Sequence, residues 1–315
     1  MNLTADQLDT FFKRIILSLI FVVMLAPYSC ATENESEIFG SALNTYQPIK
    51  GNANPRGYSL ILATDDLSLG LHRIGFLALS ADGMVNEPTV RASIFYFDSD
   101  KGLIEQGYPR EALYRKWPYG SRGLYTLNAN FLNQGKHILV VDIPVKNGPD
   151  ETVEISFDVD KVTQAPSVGD LAIKSVTKTY ASVTETSELT TGSIVDLNLY
   201  KVTLAEAIKH AKPLVVVFAS PAFCSNAVCG PQVEILSLLQ SKFADKADFV
   251  HVDLYQNPEQ LQGDLESAVI STAVRQWRLP SDEWTFIIDS TGVIIARFQG
   301  FATFDEIQTE LLKLL

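Results

Sequence analysis

An apolar, β-branched run, Leu214-Val215-Val216-Val217-Phe218-Ala219, leads into a stretch that carries Cys224 and Cys229 and then a Gly230-Pro231 pair. Consecutive apolar residues with no alternation suit a strand covered on both faces, as in a sheet flanked by helices. Beyond the Gly-Pro pair the apolar residues have the helical period: Ile235, Leu238, Leu239 and Phe243 fall at i, i+3, i+4 and i+8. Pro231 in the first turn costs nothing, because the N–H it lacks would have no partner there. The stretch therefore demands a strand–loop–helix unit with two thiols at the junction.

That position has chemical consequences. A thiol at a helix N-terminus feels the positive end of the macrodipole, which stabilises the thiolate, the species that attacks disulfides and peroxides. Residues i and i+5 of a regular helix lie roughly 8 Å apart, too far for a disulfide. Cys224 must then sit in non-helical backbone if the two are bonded, and Ser225-Asn226 between them suit a loop. Either cysteine fits the attacking role: Cys229 by its place at the helix start, Cys224 by its place near the strand end. A plain stapling disulfide is the competing use, although so short a loop contributes little entropic stabilisation.

Around this unit the pattern alternates helices and strands. A short helix over 204–211 has Thr203 as its cap, and 249–254 reads as the next strand. Leu265, Ala268, Val269 and Ala273 form a second helical stripe. Phe286-Ile287-Ile288 and Val293-Ile294-Ile295 flank Asp289-Ser290-Thr291-Gly292, a hairpin turn, and Thr303-Phe304-Asp305-Glu306 is a capping box that opens a final helix.

The first half reads differently. Apolar-rich runs lie at 58–63, 71–79, 123–127 and 138–143, and the runs at 90–96 and 153–159 alternate with period two; turn residues such as Asp82-Gly83 and Asn133-Gln134-Gly135 separate them. Short strands at regular spacing predict an antiparallel β-sandwich of Ig-like type. The expected division is 1–30 as signal peptide or membrane anchor, 31–55 as tether, 56–160 as sandwich, 161–195 as linker and 196–315 as the α/β domain.

The order β-α-β-α-β-β-α, with cysteines after the first of these strands, resembles the thioredoxin fold over roughly the last 120 residues. Cys229-Gly230-Pro231 is similar to the start of the family's Cys-Gly-Pro-Cys motif, and His251-Val252-Asp253-Leu254-Tyr255-Gln256-Asn257-Pro258 to its next strand and turn. As a whole the chain resembles exported bacterial thioredoxin-like proteins with an N-terminal β-sandwich. The resemblance implies thiol–disulfide exchange with a disulfide-bearing protein partner, through Cys224 and Cys229, with Pro231, Pro280, Glu283 and Trp284 as supporting residues. It departs from the family at three places. The spacing is C-x4-C, with Gln232 where the second thiol would stand. Val217 occupies the place of an acidic residue. Glu283 falls at or next to the place of a cis-proline, with Pro280 three residues earlier.

Pro221-Ala222-Phe223 followed by Cys229 also resembles the peroxiredoxin pattern, which implies a thiol peroxidase using Cys229. That family wants Thr or Ser three residues before the cysteine, where Asn226 stands with Ser225 one further back. No arginine partner can be assigned among Arg275, Arg278 and Arg297. Neither His210 nor His251 has a ligand spacing that singles it out, so no metal and no cofactor is expected. Trp277 and Trp284 read either as a docking surface beside the thiols or as core aromatics. A non-catalytic binding or scaffold module with a degenerate thioredoxin fold is the alternative class.

Charge and targeting complete the reading. A formal net charge of −12 with no Lys/Arg-rich run excludes nucleic-acid binding through phosphate neutralisation. Lys13-Arg14 precede an apolar run over 15–26, too short to span a bilayer comfortably but suited to a signal-peptide core. The segment before it is long and holds Asp6 and Asp9, which leaves an uncleaved anchor as an alternative. Cys30, followed by a polar tether, resembles a bacterial lipoprotein site, with Pro27 where Leu is preferred; ordinary cleavage beside Ser29 and Ala31 is the other reading. The expected location is the periplasm or the cell surface, with Cys30 lipidated or removed and two cysteines left in a compartment where a disulfide persists.

Overall fold

A computed structural model describes residues 47–315 except 147, 225–227, 262 and 264. Cys30 and the rest of residues 1–30, where a signal peptide or anchor is expected, lie outside the described residues. Residues 47–315 belong to one compact unit that holds two sheets. Among the described residues no helix is long and apolar enough to cross a membrane.

The first sheet contains β1 (Ser59–Leu62), β2 (Gly70–Ser80), β3 (Gly83–Met84), β4 (Thr89–Asp98), β5 (Gly102–Glu105), β6 (Arg110–Lys116), β7 (Gly123–Phe131), β8 (Gly135–Ile143) and β9 (Glu151–Val159). Its order is β1-β2-β7-β6-β4-β8-β9, antiparallel throughout, with β3 added to β2 and β5 to β4. The two ends of this path approach each other. Residues ahead of β1 pair with it, Gly51 N–H donating to Leu60 O at 2.8 Å, and a Cβ built on Gly51 would lie 2.8 Å from Glu154 O of β9. At the other end of the seam Ser68 bridges Asp160 in parallel.

The expected Ig-like sandwich requires two separate sheets. Here one ladder runs through all the strands and curls almost into a barrel around a single core, which includes Leu60, Phe76, Val90, Leu139, Ile155 and Phe157. The alternation marks the buried faces of β4 and β9 and is silent on pairing, so it fits a sandwich and a curled sheet equally well. Strand β6, Arg-Glu-Ala-Leu-Tyr-Arg-Lys, escaped the sequence reading because four of its seven residues are charged; it buries only Ala112 fully.

The second sheet has β10 (Leu214–Phe218), β11 (Asp248–Val252), β12 (Trp284–Ile288) and β13 (Ile294–Gln299) in the order β11-β10-β12-β13. β10 and β11 are parallel, while β12 and β13 run antiparallel to their neighbours. Its helices are α1 (Leu204–Ala207), α2 (Cys229–Phe243), α3 (Thr272–Gln276) and α4 (Phe304–Leu312). This is the thioredoxin-like arrangement, established by strand order and direction. Its local signals hold. Thr203 and Thr303 each form a capping box, with Glu206 and Glu306. Asp289 Oδ1 accepts from the N–H groups of Thr291 and Val293, while Gly292 takes φ 88° in the hairpin. One expectation fails: the stripe from Leu265 to Ala273 is not one helix. Ile270 pairs with Tyr255 in a short bridge, and helix begins only at Thr272.

The segment between the sheets packs on the second one. Gly169 and Ala172 N–H donate to Ile294 O and Gly292 O. Asp66, just before β2, pairs with Arg297 of β13 at 2.8 Å, both side chains buried. Trp117, directly after β6, joins the core that holds Cys229 and Ile235 of α2.

Candidate functional site

Every residue of β10 is buried, so the chain meets polar surroundings only beyond its C-terminal end. There Ala219 N–H still donates to Val252 O, and Phe223 N–H closes a turn onto Ser220 O. Pro221 lies against Gly192, where an added Cβ would come within 3.2 Å of its ring, so residue 192 must be small. Cys224 follows in this loop, half-buried, and Cys229 is the first residue of α2, with no exposed surface. The two form a disulfide with Cα atoms 5.9 Å apart. Cys224 thus has the non-helical backbone that the spacing demanded. Ser225 and Asn226 lie outside the described residues.

Pro231 is the third residue of α2, within the turn whose N–H groups have no helical partner. Gln232, where a second thiol was to be compared, is fully buried, and its Oε1 accepts from Ala302 N–H at 2.9 Å. It ties α2 to the loop before α4 and has no redox role.

Glu283 comes in from the opposite side. It stands one residue before β12, is 1% exposed, and its backbone O accepts from Gly300 N–H. A carboxylate oxygen of Glu283 and both sulfurs lie within 4.8 Å of one another. Among the described residues this is the group with metal-ligand geometry, but here the sulfurs are bonded to each other. Pro280 does not reproduce a cis-proline, since no cis peptide occurs among the described residues.

Trp284 and Trp277 are core aromatics. Trp284 is fully buried, stacked on Phe286 at 5.7 Å, with Arg297 4.8 Å above its ring. Trp277 is equally buried and donates from Nε1 to Ile173 O. Neither presents a docking surface.

Beneath the Cys224 loop lies a polar cluster that the sequence did not single out. Asp253, directly after β11, accepts from Thr190 Oγ1, Thr191 N and Thr191 Oγ1 on Oδ2, at 3.1, 2.8 and 3.0 Å, and from Tyr255 N on Oδ1. Burial pushes its carboxyl up to about 6, against the pull of those donors. Because Thr191 gives its proton to Asp253, its oxygen accepts from Ser220 Oγ and Ala222 N–H, which fixes the loop leading to Cys224.

His251 on β11 is the Cα partner of Val217. Its Nε2 faces Ala219 O at 2.9 Å, and a carbonyl only accepts, so Nε2 carries the proton and Nδ1 accepts from Tyr200 OH. Burial depresses its pKa to about 4, which keeps the ring neutral at physiological pH. With both nitrogens committed, His251 is structural. His210 is a surface partner of Asp248. The Asp253 cluster went unnoticed because Thr190 and Thr191 lie some sixty residues from it along the chain, with no local period to mark them.

No protein-family model matches the chain, and no curated protein matches it. Among solved structures it is similar to a protein described as a thiol:disulfide interchange protein DsbE from Chlorobium tepidum, at 17% identity and a TM-score of 0.34, over 47% of this chain and 97% of that one. A thiol:disulfide interchange protein of the thioredoxin family from Chlorobium tepidum TLS matches at 13% identity and a TM-score of 0.33, over 48% and 99%.

Proposed function

We propose that the protein carries out thiol–disulfide exchange outside the cytoplasm through Cys224 and Cys229, with a disulfide-bearing protein as partner. One observation carries this reading: the two sulfurs of a single disulfide differ in access. Cys224 is half-buried on a loop, whereas Cys229 has no exposed surface at the start of α2. An incoming thiolate therefore reaches Cys224, and Cys229 is the leaving and resolving sulfur. The export signal would deliver the chain to an oxidising compartment, with lipidated Cys30 as its membrane anchor.

The trapping variant follows from that asymmetry. With Cys229→Ser, reduced protein is expected to hold a stable mixed disulfide through Cys224 when given a small aromatic disulfide, whereas the wild type passes through it. An absent adduct, together with a reduction potential below roughly −300 mV, would leave the pair as a staple in a binding module.

A peroxidase is the weaker alternative. A peroxidatic thiolate needs a cationic neighbour, and the charged group placed with the sulfurs is the Glu283 carboxylate. Arg297 is committed to Asp66, and Arg275 to Ile270 O and Thr272.

A further inference from the structure

We propose that Glu283 exchanges a proton with Cys229 each time the disulfide opens or closes, an inference that rests on the exchange reading above. A carboxylate oxygen lies within 4.8 Å of both sulfurs, and Glu283 and Cys229 are 1% and 0% exposed. Bulk water is a poor proton carrier at such a site. Two buried anions so close repel strongly, so the reduced site holds one proton between the Cys229 sulfur and the carboxylate. The helix start favours the thiolate, and the carboxylate opposes it while offering its proton a place to go.

The other charged or titratable groups on the surrounding elements have different commitments. His251 on β11 is bonded to Tyr200 and Ala219, and Asp253 to Thr190, Thr191 and the N–H of Tyr255. Tyr255 is buried against Phe223, Asp282 lies close enough to act electrostatically on the Tyr255 hydroxyl, and Arg297 on β13 is paired with Asp66. Cys224, on the loop, is the exchanging sulfur itself.

When the protein reduces a partner, the Cys224 thiolate attacks the partner disulfide, one partner sulfur leaves as a thiolate, and a mixed disulfide forms. Cys229 then gives its proton to Glu283 while its sulfur attacks Cys224 Sγ. The Cys224–Cys229 bond forms, the mixed disulfide breaks, and the second partner sulfur leaves as a thiolate. The pair loses two electrons and the partner disulfide gains them. In the reverse direction protonated Glu283 returns the proton to the departing Cys229 sulfur.

The test uses reduced full-length protein in a Cys30→Ser background, mixed with dithiobis(nitrobenzoate). The first thionitrobenzoate released reports attack by Cys224, the second reports resolution by Cys229. An internal acceptor makes the wild-type second step nearly flat between about pH 6 and about pH 8. Glu283→Gln is expected to lose the plateau, rise roughly tenfold per pH unit, and run at least about tenfold slower at the low end. Glu283→Asp is expected to keep a plateau at a lower rate. A Glu283→Gln profile equal to the wild type overturns the proposal. Should that variant fail to fold, the wild-type profile decides: a plateau supports the proposal, and a tenfold-per-unit rise overturns it. A wild type that releases one equivalent and stops overturns the exchange reading itself, and the proposal with it.

Discussion

β9 of the first sheet and β10 and β12 of the second bury their residues in opposite ways. In β9 every second residue faces the core and the rest face solvent, whereas β10 and β12 bury all five of their residues. A strand of the first kind walls in its own core on one face. A strand of the second kind lies between layers and leaves no face to solvent, so that even Thr285 of β12 is fully buried. The consequence is functional. In the second sheet chemistry can stand only where strands end, and there the disulfide, Glu283 and the Asp253 cluster are found. β10 carries the cysteine loop at its C-terminal end, and β12 begins one residue after Glu283.

The sharpest test of this contrast is one charge placed in each sheet. Val216→Asp in β10 buries a carboxylate with no partner and is expected to cost more than about 4 kcal/mol, or to prevent folding. Ser156→Asp, at an outward position of β9, should stay within about 0.5 kcal/mol. Denaturant unfolding of the two variants compares them directly, and equal losses would break the distinction.

Next in size is the tie between the sheets. Asp66 and Arg297 are 5% and 8% exposed, and Asp66 also accepts from the N–H groups of Gln164 and Ala165. Removing one partner strands the other charge, so Asp66→Ala is expected to cost about 3–5 kcal/mol, seen as a lower unfolding midpoint. Opening the disulfide should cost less. In the chain-entropy view a loop this short contributes about 2 kcal/mol, so a Cys224→Ser/Cys229→Ser protein should keep its fold with a modestly lower Tm.

The smallest expected effect is the pH dependence of the wild type, in which two slopes oppose each other. Asp253 has its pKa raised to about 6 in the folded state, so its contribution to stability falls as pH rises from about 4 through about 6. His251, depressed to about 4, works the other way: its contribution is complete above about 6.5 and is lost as pH falls towards 4. The two slopes offset each other between about pH 4 and about pH 6. His251→Gln should expose a stability that declines with rising pH, and Asp253→Asn one that declines with falling pH, each by about 3 kcal/mol across the full window. Parallel pH profiles for the two variants would overturn both assignments.

What could be read in advance differs between the sheets for the same physical reason. In the first, alternation marked the inward residues of β4 and β9, but Arg-Glu-Ala-Leu-Tyr-Arg-Lys hid β6, the strand that joins β4 to β7. In the second, the apolar runs of β10, β12 and β13, the cap at Thr203 and the capping box at Thr303 were legible, because each is a few residues answering to local hydrogen bonds or burial. The helix assigned over 265–273 shows the limit: its spacing was helical, but Ile270 paired with Tyr255 instead.

By itself, then, the sequence determined that a strand, a loop with two thiols and a helix come one after another, and that Cys224 must lie outside regular helix for the pair to bond. Those facts depend on residues within one turn or one strand of each other. The tertiary structure decided which sulfur is accessible, that Glu283 faces both, that Thr191 and Asp253 anchor the Cys224 loop, and that the first sheet curls on itself. Each of these joins segments tens of residues apart, whose meeting depends on strand order and register, and no local period encodes it.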